Sequence, residues 1–294
     1  EGGFTERLSK ARLETRDAQI AAQGAPKCPK CGKEIDVIVW KSVNADQDPE
    51  AKSQLLDGTL TIRLVRKCTV SVVFTPEEPA NNYMTPGGLT TAIGVGLFFD
   101  RDLMDQTEID RLGMEAVALT QGSPQAFLTG AILAHIMTNL LRYPEAPFKK
   151  VIGQAMCSLR DQFGHEYSQA NDLLNLIRSA VAYSQTCDVS SVEVMEQLGC
   201  ETAAQVMAGA VYACLVSKED FDSAMIVAVN HSGRSAAVGA VVGAILGARL
   251  GEEALPEFYI DCLEPAEVLR ELADDLFDGC PMERGSRLFD LDWD

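Results

Sequence analysis

Apolar residues recur at every third or fourth position through most of the chain after Asp105. This spacing places them on one face of an α-helix, and glycine, proline or acidic turns separate one segment from the next. We therefore expect an all-α domain in this part of the chain. The pattern predicts helices over residues 105–120, 123–142, 147–163, 166–185, 190–198, 202–216, 219–229, 235–250 and 263–277.

The first part of the chain has a different pattern. Residues 5–22 are rich in helix formers but poor in large apolar groups, which is typical of a solvated helix or a frayed arm. Residues 61–74 are dense in β-branched side chains and predict a strand or hairpin, or an irregular connection. Prolines between positions 75 and 82 then predict a loop.

The helix predicted at residues 235–250 consists almost entirely of small residues, with Gly239, Gly243 and Gly247 spaced four apart. Each glycine lowers helix stability by roughly 1 kcal/mol relative to alanine, so we expect tertiary packing to compensate. The pattern therefore predicts a central, buried helix that other backbones approach closely. The polar turn of residues 230–235 precedes it, where unpaired N–H groups and the positive dipole end suit an anion.

The composition of the chain limits the kinds of molecule that it could bind. The chain has 294 residues and a hydrophobic content of 47%, enough for one large core with an appendage. Its formal charge of −18 argues against nucleic acid or an anionic membrane as the main partner. The longest apolar run, residues 235–248, is shorter than the ~20 residues of a membrane span. Because we also recognise no signal peptide, we expect a cytoplasmic protein.

Cysteine usage agrees with a reducing compartment. The nine cysteines are an odd number and are scattered, several of them in apolar segments (Cys157, Cys200 and Cys214), which indicates free thiols. Cys28 and Cys31 have the spacing of a zinc-ribbon knuckle. A structural zinc site needs four ligands, and no second Cys-x-x-Cys pair follows. Three interpretations stay open: a pair of free thiols, a zinc site within the chain, and a zinc site that a second chain completes.

Three separated segments resemble the ADP-ribosylglycohydrolase family. In the family's C-terminal signature, an Asn and a glycine-rich turn lead into Asp-Thr/Ser-Asp-Thr/Ser, which Gly-Ala and a small-residue helix follow. The residues that match this signature here are Asn230, His231, Gly233, Ser235, Gly239 and Ala240. Residues 81–99 are similar to the glycine segment that shapes the family's ADP-ribose pocket, through Asn81, Asn82, Gly87 and Gly88. Residues 119–124 resemble its Thr-His-Gly-His/Asp-Pro turn, with Gln121 in place of the first histidine.

The resemblance covers about residues 75–278 and implies an orthogonal multi-helix bundle. It also implies a ligand pocket near the two glycine-containing segments. For each segment a plain structural turn is the alternative to a surviving ligand contact. The residues expected to bind the ligand are Asn82, Gly87, Gly88, Asn230, His231, Gly233, Arg234 and Ser235.

The chain departs from the family at the metal ligands. The family's signature aspartates bind paired magnesium ions, but Arg234 and Ala236 occupy those two positions here. A guanidinium and a methyl group cannot bind a cation. The family's Gly-Asp opening and its Thr-Asp-Asp-Thr motif also have no counterpart that we recognise. We therefore expect no magnesium cofactor, and zinc at Cys28 and Cys31 is the one metal that the sequence suggests.

The segment before the helical domain resembles another module. Residues 28–60 are similar to the start of a bacterial CpXC domain, so we expect a small β-containing, zinc-knuckle-like appendage over residues 1–74 and the helical domain over residues 75–294. If this segment replaces only some of the family's helices, apolar faces are left uncovered. A homodimer would cover them.

Three functions follow as hypotheses. The first is a catalytically inactive family member that binds ADP-ribose, a related nucleotide or an ADP-ribosylated partner. The second is a structural or regulatory interaction protein with an empty pocket, and the third is a residual ADP-ribosyl hydrolase. His231 is a candidate ligand or base, although a turn-stabilising role fits the family pattern better, and His135 and His165 are expected to be structural.

Overall fold

The computed structural model describes Pro76, Pro79 and residues 81–98, 104–186, 189–261 and 263–278. All of them belong to the second of two units of the chain, Phe74–Asp294. The strand or hairpin predicted at residues 61–74, the CpXC-like segment and the pair Cys28 and Cys31 lie outside the described residues.

The regular elements in these ranges are all helical, which confirms the all-α prediction. A 3-10 turn, Pro86–Gly88, leads directly into the first α-helix, and a second one, Glu252–Ala254, follows the ninth. The α-helices are α1 (Leu89–Phe98), α2 (Gln106–Ala118), α3 (Pro124–Arg142), α4 (Phe148–Phe163), α5 (Gln169–Tyr183), α6 (Ser191–Leu198), α7 (Ala203–Val216), α8 (Phe221–Val229), α9 (Ser235–Leu250), α10 (Glu257–Asp261) and α11 (Ala266–Asp278).

Helix α3 is the centre of the fold. Fifteen of its nineteen residues are buried, and it contacts α1, α2, α4, α5, α7 and α9. It crosses α2 at two glycines, where a Cβ on Gly130 would lie 2.5 Å from the Gly113 carbonyl oxygen. The two backbones therefore touch, and a side chain at either position would separate the helices.

Several helices begin at the residues that the sequence indicated. Ser123 is the N-cap of α3 and Pro124 takes its first position. Ser190 with Glu193 forms a capping box at the start of α6, and Thr202 with Gln205 forms another at the start of α7. The two capping boxes satisfy N–H groups that the helix itself leaves unpaired, and so they fix where α6 and α7 begin.

The prediction that residues 235–250 form the central, buried helix is wrong. The buried face of α9 carries the branched residues Val238, Val241, Val242, Ile245 and Leu246 rather than the full series of small ones. On the other face Ala236 and Ala240 are exposed, and a Cβ added at Gly243 or Gly247 would meet no atom of the described chain within 4 Å. Within the described ranges, packing therefore stabilises α9 through its large side chains, along one side.

None of the described helices combines the length and apolar character that crossing a membrane requires.

Candidate functional site

The signature turn joins α8 to α9 and is held by its own side chains. Asn230 ends α8 and its Nδ2 donates to the Ile226 carbonyl at 2.7 Å. His231 Nε2 lies 2.9 Å from the Ala228 carbonyl oxygen, and His231 Nδ1 accepts from the Gly233 N–H at 3.1 Å. Because a carbonyl accepts and an N–H donates, this pattern requires the neutral Nε2–H tautomer. Both ring nitrogens are therefore occupied, which favours the turn-stabilising role over that of ligand or base.

The turn packs against the loop that follows α6. A Cβ on Gly233 would lie 2.6 Å from the Gly199 carbonyl oxygen and 2.9 Å from the Cys200 Cβ, so only glycine fits there. The next residue, Arg234, donates its N–H to the Cys200 carbonyl at 2.9 Å. The glycine of the family signature thus allows a close backbone contact in this chain.

A carboxylate of α6 also fixes the turn. The Ser232 hydroxyl donates to Glu196 Oε2 at 2.5 Å and its N–H donates to Oε1 at 2.7 Å. These two hydrogen bonds lower the pKa of Glu196 below its ordinary value, and the bond from the hydroxyl has the larger effect. Both oxygens of Glu196 therefore accept hydrogen bonds within the turn, and Glu196 does not take over metal binding from the missing signature aspartates.

Arg234 stands at the N-cap of α9, where its side chain makes no capping hydrogen bond. Its Nε lies 3.3 Å from Glu201 Oε2, and the two side chains are 50% and 60% exposed. An ion pair as exposed as this contributes between roughly 0 and 1 kcal/mol to stability. No acidic residue occupies the first turn of α9, so Glu201 is the carboxylate that offsets the unfavourable contact between Arg234 and the helix dipole.

The signature positions do not fit magnesium. Arg234 carries a positive charge and Ala236 offers no donor atom, while the nearby carboxylates Glu196 and Glu201 already bind Ser232 and Arg234. Across the ranges that the structure describes, no three His, Cys, Asp or Glu side chains come together as a metal site. The family's metal-assisted chemistry has no ligand set in this part of the molecule.

The second family segment is fastened to the turn before α3. Asn81 Oδ1 accepts from the N–H groups of Tyr83 at 2.8 Å and Gly122 at 3.0 Å, and its Nδ2 donates to the Thr120 carbonyl at 3.0 Å. A Cβ on Gly122 would lie 2.1 Å from the Asn81 carbonyl oxygen. Asn81 is therefore a structural residue that ties the segment of residues 81–99 to the turn of residues 119–124.

The neighbouring residues of this segment differ in exposure. Asn82 and Gly87 are exposed, whereas Gly88 is buried beneath the Gln121 side chain, whose Oε1 would lie 2.2 Å from an added Cβ. Gln121 Oε1 also accepts from the Thr120 hydroxyl at 2.6 Å. Gln121, which replaces the family's histidine, thus covers Gly88. Among the three residues of this segment that we predicted to bind a ligand, Asn82 is the one with an exposed side chain.

The segment of residues 81–99 and the signature turn of residues 230–235 both contact the loop that follows α6. The Met84 carbonyl accepts the Ala203 N–H at 2.8 Å, and the Cys200 carbonyl accepts the Arg234 N–H. Among the residues that are described, the segments share no hydrogen bond with each other. The structure therefore places each of them beside residues 200–203, at the start of α7.

A buried polar cluster was not predicted from the sequence. His135 Nδ1 lies 2.9 Å from Asp110 Oδ2 between α3 and α2, and the side chains are 6% and 2% exposed. Ser158 and Gln162 of α4 donate to the same oxygen at 2.6 and 3.0 Å, and Gln106 donates to Oδ1 at 2.8 Å. One carboxylate thus accepts hydrogen bonds from three helices, and the prediction that His135 is structural agrees with its burial.

The described cysteines are free thiols that differ in exposure. Cys157 is exposed on α4, contrary to the expectation of an apolar setting, whereas Cys200 and Cys214 are buried. Burial raises the pKa of Cys200 to about 12 and raises that of Cys214 further. The two buried thiols therefore stay protonated and unreactive at neutral pH.

Comparison with known proteins supports the resemblance of the three segments. The model of the ADP-ribosylglycohydrolase family matches residues 31–285. The match begins inside the CpXC-like segment, and the CpXC resemblance itself stays a prediction. No match was found among curated proteins. Because the family match covers most of the sequence, the chain belongs to the ADP-ribosylglycohydrolase family.

Proposed function

We propose that this protein binds ADP-ribose or a related nucleotide, free or attached to a partner protein, and does not cleave it. The observation that carries the proposal is Arg234 at the N-terminus of α9. The signature of this family has a metal-binding carboxylate at that position, and this chain has a fixed positive charge instead.

The chemistry of a diphosphate suits this position. Phosphate oxygens accept charge-assisted hydrogen bonds from guanidinium groups. Arg234 is half exposed and its pair with Glu201 is weak, so exchanging Glu201 for a phosphate costs about 1 kcal/mol or less. Asn82 is a further exposed polar side chain of the family segments, and we expect a nucleotide to contact it.

The proposal excludes cleavage because the turn offers no group to assist it. Hydrolysis requires a water molecule to be activated against the anomeric carbon, through a metal or a general base. The signature positions do not fit magnesium, and both nitrogens of His231 are hydrogen-bonded within the turn. Magnesium-dependent release of ADP-ribose from modified arginine or serine, lost on mutating Asn230 or His231, would refute this part of the proposal.

Calorimetric titration with ADP-ribose tests the binding, on full-length protein of known oligomeric state and with and without magnesium. We expect binding that does not depend on magnesium and that Arg234→Ala abolishes without unfolding the protein. Arg111→Ala is the matched control, because Arg111 also forms an exposed ion pair, with Glu115. Absence of binding, or equal loss in both variants, would contradict the proposal.

A second candidate function is a regulatory or structural interaction module. The observation that favours it is a group of large apolar side chains exposed on α8, α10 and α11: Ile226, Val229, Phe258, Val268 and Leu269. This function takes first place if the protein binds no nucleotide and Arg234→Ala lowers thermal stability, because Arg234 then serves the fold alone.

A further inference from the structure

A groove with an apolar floor runs between α4 and α5, away from the signature turn. Its volume is about 280 Å3, and Ile152, Met156 and Val181 form the floor. Gly153 adds no side chain, and a Cβ there would meet no atom of the described residues within 4 Å. The groove is smaller than the roughly 300–1,000 Å3 pockets that enclose drug-sized molecules, so it suits one or two anchoring side chains of a peptide.

The rim of this groove is positively charged. Lys149 and Arg178 line it, and none of the described lining residues is acidic. Within the described residues neither cation has a carboxylate partner, and Arg178 Nη1 donates to the neutral Asn175 Oδ1 at 2.8 Å. A positively charged rim is unusual in a chain with a formal charge of −18. It favours an occupant that carries carboxylates beside apolar groups.

The chain contains such a segment outside the described residues. In residues 289–294 the apolar Phe289, Leu291 and Trp293 alternate with Asp290, Asp292 and Asp294. Successive side chains of an extended backbone point to opposite sides. An extended segment would therefore present three apolar groups on one side and three carboxylates on the other.

We propose that residues 289–294 bind in this groove of the same chain in an extended conformation. The aromatic side chains enter the apolar floor as anchors, and the long side chains of Lys149 and Arg178 reach along the segment to its carboxylates. Helix α11 ends at Asp278, and the residues between there and Phe289 span about 35 Å when extended, comparable to the diameter of such a domain. The proposal does not rest on nucleotide binding, since the groove lies on other helices.

Tryptophan fluorescence of the full chain tests the proposal. The chain has two tryptophans, so Trp40→Phe leaves Trp293 as the single reporter. We expect blue-shifted emission and severalfold weaker quenching by acrylamide than in a free peptide of residues 287–294. Lys149→Glu with Arg178→Glu should raise quenching to the value of the peptide. Lys150→Glu is the control, because this exposed neighbour makes the same charge change without lining the groove.

Three outcomes would overturn the proposal. Trp293 as accessible as in the free peptide would show that the segment does not bind. Shielding that the double variant leaves unchanged would place the segment elsewhere. Shielding that disappears on dilution would assign the segment to the groove of a second copy. Helical circular dichroism equal to that of the parent confirms that each variant is folded, as the exposure of both cations leads us to expect.

Discussion

At the scale of single residues, Glu196 makes the signature turn sensitive to acid. Its pKa is lowered by the hydrogen bonds from the Ser232 hydroxyl and N–H. A carboxyl whose pKa is lower in the folded than in the unfolded state stabilises the folded state at pH values above its unfolded pKa, here 4.5. This stabilisation is lost as the pH falls through the pKa of the folded state. We therefore expect the Ser232 amide resonance to shift below pH 4.5 in an NMR titration. Glu196→Gln should remove this transition, and an unchanged transition would assign it to another group.

Gly233 offers a second test at this scale. Because an added Cβ would meet the Gly199 carbonyl oxygen at 2.6 Å, Gly233→Ala should lower the free energy of unfolding by about 1–3 kcal/mol. Denaturant unfolding measures this change. Gly94→Ala is the control, since no atom of the described chain would lie within 4 Å of a Cβ at this position in α1. There we expect a gain of about 0.5–1 kcal/mol. Equal effects in the two variants would show that the close contact with Gly199 is absent.

At the scale of helices, Asp110 connects α2, α3 and α4 inside the protein. Removing the carboxylate leaves the donors of His135, Ser158 and Gln162 without their acceptor. We expect Asp110→Ala to lower the free energy of unfolding by about 3–5 kcal/mol. Asp161→Ala removes a carboxylate that pairs with Arg160 on the surface, and it should cost less than about 1 kcal/mol. Thermal or denaturant unfolding of both variants checks the contrast.

The helices themselves could be predicted because their signals are local. Apolar spacing located nine of the α-helices with both ends within three residues of the observed ones, and the caps at Ser123, Ser190 and Thr202 explain several starts. The depth of a helix in the fold is not a local property. Glycines at a spacing of four suggested that α9 is central, whereas α3 holds that place because its larger side chains contact six other helices.

The candidate site was predictable only in part, for the same reason. The family pattern found the turn of residues 230–235 and the cation at Arg234, which the structure pairs with Glu201. It did not indicate that Asp110 and His135, 25 positions apart, lie in contact. A charged residue on the apolar face of a predicted helix was the available signal, and it gives no information about its partner.

At the scale of the whole molecule, we propose that the open side of α8 and α9 is the contact of a homodimer. This face combines Ile226 and Val229, 55% and 46% exposed, with the uncovered small residues of α9. Gly243 leaves room for another backbone to approach, since a Cβ there would meet nothing within 4 Å in the described part of this chain. Self-association of the face would remove apolar surface from water on both copies.

Gly243→Leu tests this contact because the substitution has space within one chain and none within a close dimer. Light scattering at micromolar concentration should show a dimer for the parent and a monomer of unchanged helical content for Gly243→Leu. Gly94→Leu, which also substitutes a helical glycine beside open space, should remain a dimer. If the parent is a strict monomer, the face has no second copy as its partner. In that case Gly243→Ala should raise the free energy of unfolding by about 0.5–1 kcal/mol, because alanine favours the helix and meets no neighbour.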